Sequence, residues 1–393
     1  MPNLKPFDYL KLALILAAVA GAFVWLESKE SAYKSPYKIL MFRGREDSFS
    51  ERTFKIIQIA DIHLGEAEYT DWGPQQDVNT FRALDQIIPM EQPDLIVLSG
   101  DQLTANDMDQ NATVYYYQLC QFLSQYNIPW AAIFGNHDDM PREYTDPDGN
   151  KVYTNQTKTS RSVLYEVDHS FAPLSLTQKG PSNLFGTSNY MLNVYLHDDD
   201  DGDASEVALQ LLFLDSGGGS LPKQLEANQV QWFQSQRQRQ RYSSNDIPMA
   251  AFQHIPTTEF TYVNDGTCQG LQEDGVDAIQ RDPGIVNALH KDDNTHFLAV
   301  GHNHGNDYCC AYNNNTNGKM HVCFGRHSGY GGYGSWDRGA RVYEFQTSSS
   351  AETMIWSSWV RMESGDIQDE YSPFAAEASD VDGDDNADED EDE

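Results

Sequence analysis

Five short apolar runs in this chain each end in residues that can bind a metal ion. Lys55 to Ala60 leads into Asp61-Ile62-His63, and Leu95 to Ser99 into Gly100-Asp101. Ala131 to Phe134 leads into Gly135-Asn136-His137-Asp138, Ala250 to Gln253 into His254, and Phe297 to Val300 into Gly301-His302-Asn303-His304. Carboxylate oxygen, amide oxygen and imidazole nitrogen are the donors that hard and borderline divalent cations take. Asp61, His63, Asp101, Asn136, His254, His302 and His304 supply seven of them, too many for one ion but suited to two ions that share a carboxylate. Two cations about 3.5–4 Å apart clamp the attacking and leaving oxygens of an in-line displacement at phosphorus, and a water bridging both loses its proton easily and becomes the nucleophile. His137 cannot readily join the ion held by its neighbour Asn136. It fits better as general acid, or as a positive partner for the leaving oxygen.

Each run has the composition of a buried strand, and the donors stand where its carboxyl end falls. Ligands collect at that edge of an open α/β sheet. Between the first two runs, Val78, Phe81, Leu84, Ile87 and Ile88 are spaced as one face of a helix. Val114 to Tyr126 gives a second helix before the strand at 130–134. Strands alternating with helices predict parallel pairing through right-handed crossovers. Residues 139–158, rich in Asp, Thr, Asn and Gly, read as a surface loop. Asn189–Leu196 and Val207–Asp215 read as strands joined by the acidic segment His197 to Asp203. His197 stands where a calcium loop needs its first oxygen and Ala208 where it needs Glu, so a hairpin tip is the better reading. Leu225 to Arg241 reads as a helix, and Lys319–Gly325, Arg338–Gln346 and Thr353–Arg361 as antiparallel strands.

Between the last strands lies Gly325-Arg326-His327-Ser328-Gly329-Tyr330-Gly331-Gly332-Tyr333-Gly334. Glycine lets backbone approach a ligand closely, so Arg326 or His327 could reach a phosphate oxygen. A mobile turn is the competing reading. Any one histidine, His254 included, is more often a satisfied structural group than a ligand. It is the complete series that carries the argument. His169, His197, His290, His296 and His321 fall outside it.

The formal charge of −34 argues against nucleic acid as an electrostatic partner, which needs clustered Lys and Arg. Eleven of the residues from Glu377 to Glu393 are acidic, and residues 363–393 read as a solvated, disordered tail. At the other end, Leu12 to Leu26 carries no charge. Residues 1–30 therefore read as a signal anchor that tethers the chain to a membrane. The rival is a cleaved signal peptide, for which Ala20-Gly21-Ala22 offers the site. Residues 31–52 read as a linker and 53–362 as the catalytic body. Both N-terminal readings place that body in the secretory-pathway lumen, the vacuole or outside the cell. Candidate glycosylation acceptors at Asn111, Asn155 and Asn314 agree with this. The odd cysteine count (Cys120, Cys268, Cys309, Cys310, Cys323) leaves room for one or two bridges and at least one free thiol, for which Cys120 in its helical pattern is the candidate.

In order and spacing, Asp61-x-His63, Gly100-Asp101, Gly135-Asn136-His137-Asp138, His254 and Gly301-His302-x-His304 resemble the calcineurin-like metallophosphoesterases, over roughly residues 54–345. The segments Gly301-His302-Asn303-His304-Gly305-Asn306-Asp307-Tyr308 and Arg326 to Gly334 are similar to those of a fungal and plant branch of purple-acid-phosphatase-like proteins. The resemblance implies a four-layer α/β/β/α sandwich with mixed sheets and a dinuclear site. It assigns one cation to Asp61, His63, Asp101 and His304. The other falls to Asp101, Asn136, His254 and His302, with His137 assisting catalysis. Purple acid phosphatases place a metal-binding tyrosine three residues after the bridging aspartate, where Thr104 stands here, and lack a histidine at position 63. Two divalent ions such as Mn, Fe or Zn are therefore expected rather than ferric iron. The implied activity is hydrolysis of phosphomonoesters, on a phosphoprotein or a small phosphate ester. The alternatives are a phosphodiesterase acting on a lipid head group or nucleotide, and an acidic lumenal interaction protein without turnover.

Overall fold

Strand Leu95–Leu98 has every residue buried, with alternate side chains entering different cores. Leu95 and Val97 face a second sheet, while Ile96 and Leu98 face helices. A strand covered on both faces must be apolar throughout, which is why these segments show no polar alternation. The computed structural model describes residues 39–373, apart from 46–47, 109–110, 148, 155, 198–203, 242–246, 264–267, 313–319 and 349–353.

The strands are β1 (Leu40–Met41), β2 (Arg43–Arg45), β3 (Ser48–Ile59), β4 (Leu95–Leu98), β5 (Trp130–Ala132), β6 (Glu143–Thr145), β7 (Lys151–Tyr153), β8 (Tyr190–His197) and β9 (Ala204–Leu214). They continue with β10 (Met249–Gln253), β11 (Thr295–Val300), β12 (Cys309–Ala311), β13 (His321–Phe324), β14 (Gly339–Ser348), β15 (Met354–Met362) and β16 (Ile367–Tyr371). The helices are α1 (Trp72–Glu91), α2 (Ala112–Ser124), α3 (Arg161–His169), α4 (Ala227–Arg241) and α5 (Ile285–His290).

One sheet runs β16-β15-β14-β3-β4-β5, with β2 also paired to β3, and the other runs β1-β8-β9-β10-β11-β13-β12. In the first, β3, β4 and β5 are parallel; in the second, β9, β10, β11 and β13 are. Ile56, Val97, Phe213, Phe252, Phe297 and Tyr343 fill the space between the sheets. Ile57 and Ile59 of β3 pack with Leu84, Ile88 and Leu119 of α1 and α2 on one outer side. Leu212, Ala251 and Leu298 pack with Phe233 and Leu289 of α4 and α5 on the other. The architecture is thus the expected α/β/β/α sandwich.

Several details differ from the sequence reading. Part of the supposed linker is sheet: β1, β2 and the start of β3 lie within 31–52, and Phe42 is buried in the core. Strand β16 lies within the supposed tail. The loop at 139–158 holds the antiparallel hairpin β6–β7, closed by Asp146, whose backbone and side chain both bond Asn150. β13 does pair antiparallel, with β12, but it lies in the second sheet, parallel to β11 on its other side, and not beside β14 and β15. β8 and β9 are antiparallel, and the acidic residues 198–203 read as a hairpin tip lie outside the described ones.

Cys268 is bonded to Cys310 and Cys309 to Cys323, while Cys120 is a buried free thiol. Two bridges fit an oxidising, secretory-pathway compartment. Among the described residues no helix is long and apolar enough to cross a membrane. The Leu12–Leu26 run, Asn155, Asn314 and the acidic segment from Glu377 lie outside those residues. Asn111 is exposed at the start of α2, where its side-chain oxygen accepts from Thr113 N at 3.1 Å.

Candidate metal centre and catalytic site

All seven predicted donors follow the carboxyl ends of parallel strands: Asp61 and His63 after β3, Asp101 after β4, Asn136 after β5, His254 after β10, and His302 and His304 after β11. The loops carrying them are zipped together. Ile62 N and His63 N donate to Asp101 O at 2.9 and 3.0 Å, and Leu64 N to Gln102 O at 3.0 Å. Asp61, His63, Asp101 and His302 have positive φ values of 56°, 54°, 52° and 78°. Non-glycine residues adopt that conformation at a cost of order 1–3 kcal/mol each, and such strain gathers where side chains must be aimed.

The donors form two groups, Asp61–His63–His304 and Asp101–His254–His302, within each of which the ligand atoms lie no more than 4.8 Å apart. His63 Nε2 and His304 Nε2 stand 3.2 Å apart, and each is 3.8 Å from a carboxylate: His63 from Asp101 Oδ2, His304 from Asp61 Oδ1. His254 Nε2 lies 3.1 Å from Asp101 Oδ2 and 3.2 Å from Asn136 Oδ1. Asp101 thus stands between the groups.

Neighbours fix these side chains. His254 Nδ1 faces Ser99 O at 2.9 Å, and a carbonyl oxygen only accepts, so Nδ1 carries the proton. Its Nε2 then meets two oxygen acceptors, and either a proton on Nε2 or a cation among the three atoms reconciles them. A divalent cation fits that place and that donor set. His304 Nδ1 likewise donates to Tyr333 O at 2.8 Å, with the Tyr333 ring stacked on it at 4.0 Å. His63 Nδ1 contacts Thr104 Oγ1 at 3.0 Å. The threonine that replaces the purple enzymes' tyrosine therefore orients a donor. His302 Nε2 lies 3.2 Å from Asp277, which also binds Lys223 at 2.5 Å, and His302 N donates to both Asp61 oxygens at 3.1 Å.

Burial dominates the electrostatics. It pushes Asp61 up to about 7 and His304 down to about 3. Burial also disfavours charge on Asp101 and His254, but their attraction overrides it, holding Asp101 well below the usual carboxylate range and raising His254 to about 9. A pocket that keeps a carboxylate ionised among buried imidazoles is prepared for positive charge.

His137 lies beside the first group, its ring 5.0 Å from that of His63. Its backbone N donates to Asp101 Oδ1 at 2.6 Å, and its Nδ1 contacts Asn106 Oδ1 at 2.8 Å. Asp138, the next residue, serves the backbone and not the His137 ring. Its carboxylate is directed at the backbones of Asp101, Leu103 and Gly135. Buried Arg161 of α3 braces the same loop, donating to Gly135 O at 3.0 Å and to Asp139 at 3.3 Å.

The glycine-rich loop does not present Arg326 or His327 to a phosphate. Arg326 is buried, with Nη1 on Asp307 at 2.7 Å and Nε and Nη2 on Asp337 O at 2.9 and 2.7 Å. A guanidinium so committed supports the chain rather than a ligand. His327 is fully buried behind His304, its ring 3.9 Å away and its Nε2 donating to Gly331 O at 3.1 Å. The glycines instead let the loop lie against the donor histidines. At Gly332 (φ 75°) a Cβ would overlap His304 Cε1 and stand 2.8 Å from His63 Cδ2. Glu66 accepts from Gly332 N and fastens this loop to the one that follows β3. Asn106, Glu66, Asp277 and Arg161 escaped the sequence reading, because none lies at the end of an apolar run.

A cleft of about 900 Å³ opens beside His63 and His137. It is lined further by Thr104, Asn106 and Met108, by the segment holding Glu66 and Tyr69, and by the β6–β7 hairpin.

A sandwich of this kind, with two groups of nitrogen and oxygen donors sharing one rim, has the ligand set that a pair of divalent cations would take. Residues 54–306 match the calcineurin-like phosphoesterase family model, and the chain belongs to that family. It is 28% identical to the probable inactive purple acid phosphatase 29 of Arabidopsis thaliana, over 74% of this chain and 76% of that one. It is 27% identical to the phosphatase DCR2 of Saccharomyces cerevisiae, over 76% of this chain and 53% of that protein.

Proposed function

We propose that the protein is an active metal-dependent phosphomonoesterase, taking a phosphoprotein or a small phosphate ester as substrate. The observation that carries this reading is the aim of His254. Its Nδ1 is tied to Ser99 O, and its Nε2 is turned on Asp101 and Asn136. Some relatives are named as probably inactive, yet here every donor position is filled and each of the four donor histidines is oriented by a partner at one ring nitrogen.

Asp61, His63, Asp101 and His304 would hold one divalent cation, and Asp101, Asn136, His254 and His302 the other. Bound there, the pair supplies Lewis acidity toward a phosphoryl oxygen and toward water. The protein's own groups do the rest. Asn106 accepts from His137 Nδ1, so delivery of a proton to a departing alkoxide falls to Nε2 of the doubly protonated ring. The hydrogen bonds from His302 N to Asp61 and from His137 N to Asp101 fix the carboxylates before substrate arrives. Gly332 and Tyr333 pack against the donor histidines, and Glu66 holds Gly332 N, which keeps those rings in place.

The uncharged N-terminal run and the two disulfides support a translocated body tethered to a membrane, working in a lumenal, vacuolar or extracellular space. The test is metal analysis of the purified protein followed by assay with Mn, Fe or Zn. Two equivalents of metal and hydrolysis of p-nitrophenyl phosphate in preference to the bis-ester are expected. Preference for the bis-ester would make the protein a phosphodiesterase. Absence of turnover with every metal would leave a lumenal interaction protein.

A further inference from the structure

The cleft lies on the His137 side of the centre, the side from which a leaving oxygen would be protonated. It is much larger than a phosphate requires, near the upper end of the roughly 300–1,000 Å³ typical of small-molecule sites. Tyr69, Met108, Met140, Tyr144, Tyr153 and Tyr333 supply the apolar part of a lining that also carries charged groups. Tyr69, Tyr144 and Tyr153 remain 67%, 51% and 55% exposed, although rings of this size are usually packed away.

The charged groups of the cleft are engaged locally. Lys151 pairs with Glu143 at 2.6 Å, Asp107 accepts from Ala67 N and Tyr69 Oη at 3.2 Å, and Glu66 holds Gly332 N. Cations and carboxylates are close to balance in the lining (Arg142 and Lys151 against Glu66, Asp107 and Glu143). Such a surface has little to offer a polyanionic leaving group such as a nucleotide. It has several ring faces to offer an aromatic one.

We infer that the cleft receives the leaving group of an aryl phosphomonoester, and that Tyr144 and Tyr153 on the β6–β7 hairpin determine that specificity. This rests on the phosphomonoesterase reading above. In the reaction the aryl oxygen–phosphorus bond breaks, the phosphoryl group passes to water, and the aryl oxygen takes a proton to leave as a phenol. The ring of the leaving group lies against a tyrosine of the hairpin throughout, Tyr144 and Tyr153 standing on its two faces. The aryl group can belong to a phosphotyrosine side chain or to a free aryl phosphate.

The full chain, loaded with manganese, is assayed with paired peptides that differ only in phosphotyrosine against phosphoserine, and with phenyl phosphate against glycerol phosphate. Intrinsic leaving-group reactivity cancels when the aryl-to-alkyl ratio of kcat/KM is compared between wild type and a Tyr144→Ala/Tyr153→Ala double variant. That ratio is expected to fall about tenfold in the variant, as loss of an aromatic ring contact would produce. A fall with the peptides alone identifies a phosphotyrosine segment as the occupant, and a fall with both pairs identifies the aryl ring itself. An unchanged ratio with activity intact overturns the inference and leaves the phosphomonoesterase reading standing. Calorimetric binding of phenylphosphonate and ethylphosphonate to the same two proteins supplies a readout independent of turnover. Aryl preference in wild type that is lost in the variant supports the inference even where no ester is hydrolysed, and absence of preference in wild type overturns it.

Discussion

Asp138 Oδ2 accepts the backbone N–H of Asp101 at 3.0 Å, so the residue after the candidate acid histidine secures the residue between the two donor groups. The same carboxylate accepts from Leu103 N at 3.0 Å and from Gly135 N at 2.7 Å. One side chain thereby joins the loops after β4 and β5.

Asp138→Asn replaces one of these acceptors with an NH₂ group facing N–H donors. Leaving such donors unsatisfied costs on the order of 1–3 kcal/mol each. Thermal unfolding should show a loss of about 2 kcal/mol or more, and metal titration should show weaker binding, since both donor loops shift. A variant with wild-type stability and metal affinity would reduce Asp138 to a bystander.

Asn106 and His137 should separate in kinetics. His137→Ala removes the proton donor and is expected to lower kcat by about 10²–10⁴-fold. Asn106→Leu keeps the imidazole but releases its Nδ1. A smaller drop in kcat with little change in KM, together with an altered pH profile, is expected there. Equal losses in the two variants would assign Asn106 a part in the chemistry itself.

Gly332→Ala puts a methyl group against His304 and His63 at a φ of 75°. Metal affinity should fall by about 10–100-fold, as when a residue orienting a ligand histidine is lost. Metal retention on a chelating column or by mass spectrometry reads this directly. Unimpaired retention would show that the loop can yield.

Asp77 gives a pH prediction away from the metal ligands. Burial raises its carboxyl to about 6, against a contrary pull from its hydrogen bond with Gly65 N at 3.1 Å. Its folded pKa therefore lies above the unfolded one, so the folded state binds the proton more tightly. Stability linked to this proton is complete below about pH 4 and is lost as pH rises through 6. Asp77→Asn should leave unfolding unchanged at pH 4 and stabilise by on the order of 1–2 kcal/mol at pH 7. An equal effect at both values would rule out titration as its origin.

The donor set was legible because each member ends an apolar strand, and strand ends are where the chain turns into a shared rim. Its support was not. Asn106 reaches His137 across 31 positions and Asp277 reaches His302 across 25, and local sequence carries no sign of such pairings. Arg326 was misjudged for a related reason: a flanking glycine shows that backbone comes close to something, without saying to what. The β6–β7 hairpin was hidden because Asp, Asn and Gly mark its turn as they would an open loop. Phe42, the buried residue between β1 and β2, stood in a segment otherwise charged enough to pass for a tether.

Strand β12 forms one border of its sheet, and its adjacent cysteines point to opposite faces. Cys309 is stitched inward to Cys323 on β13, while Cys310 secures the segment beginning at Cys268 along the outer side. There Gln269 and Cys309 exchange both backbone hydrogen bonds, at 2.8 and 3.0 Å. A sheet margin with vacant amides invites another chain to add itself, and such growth ends in aggregates. Covalent closure of this margin denies a docking register to stray strands, and the protection persists for as long as the surroundings stay oxidising.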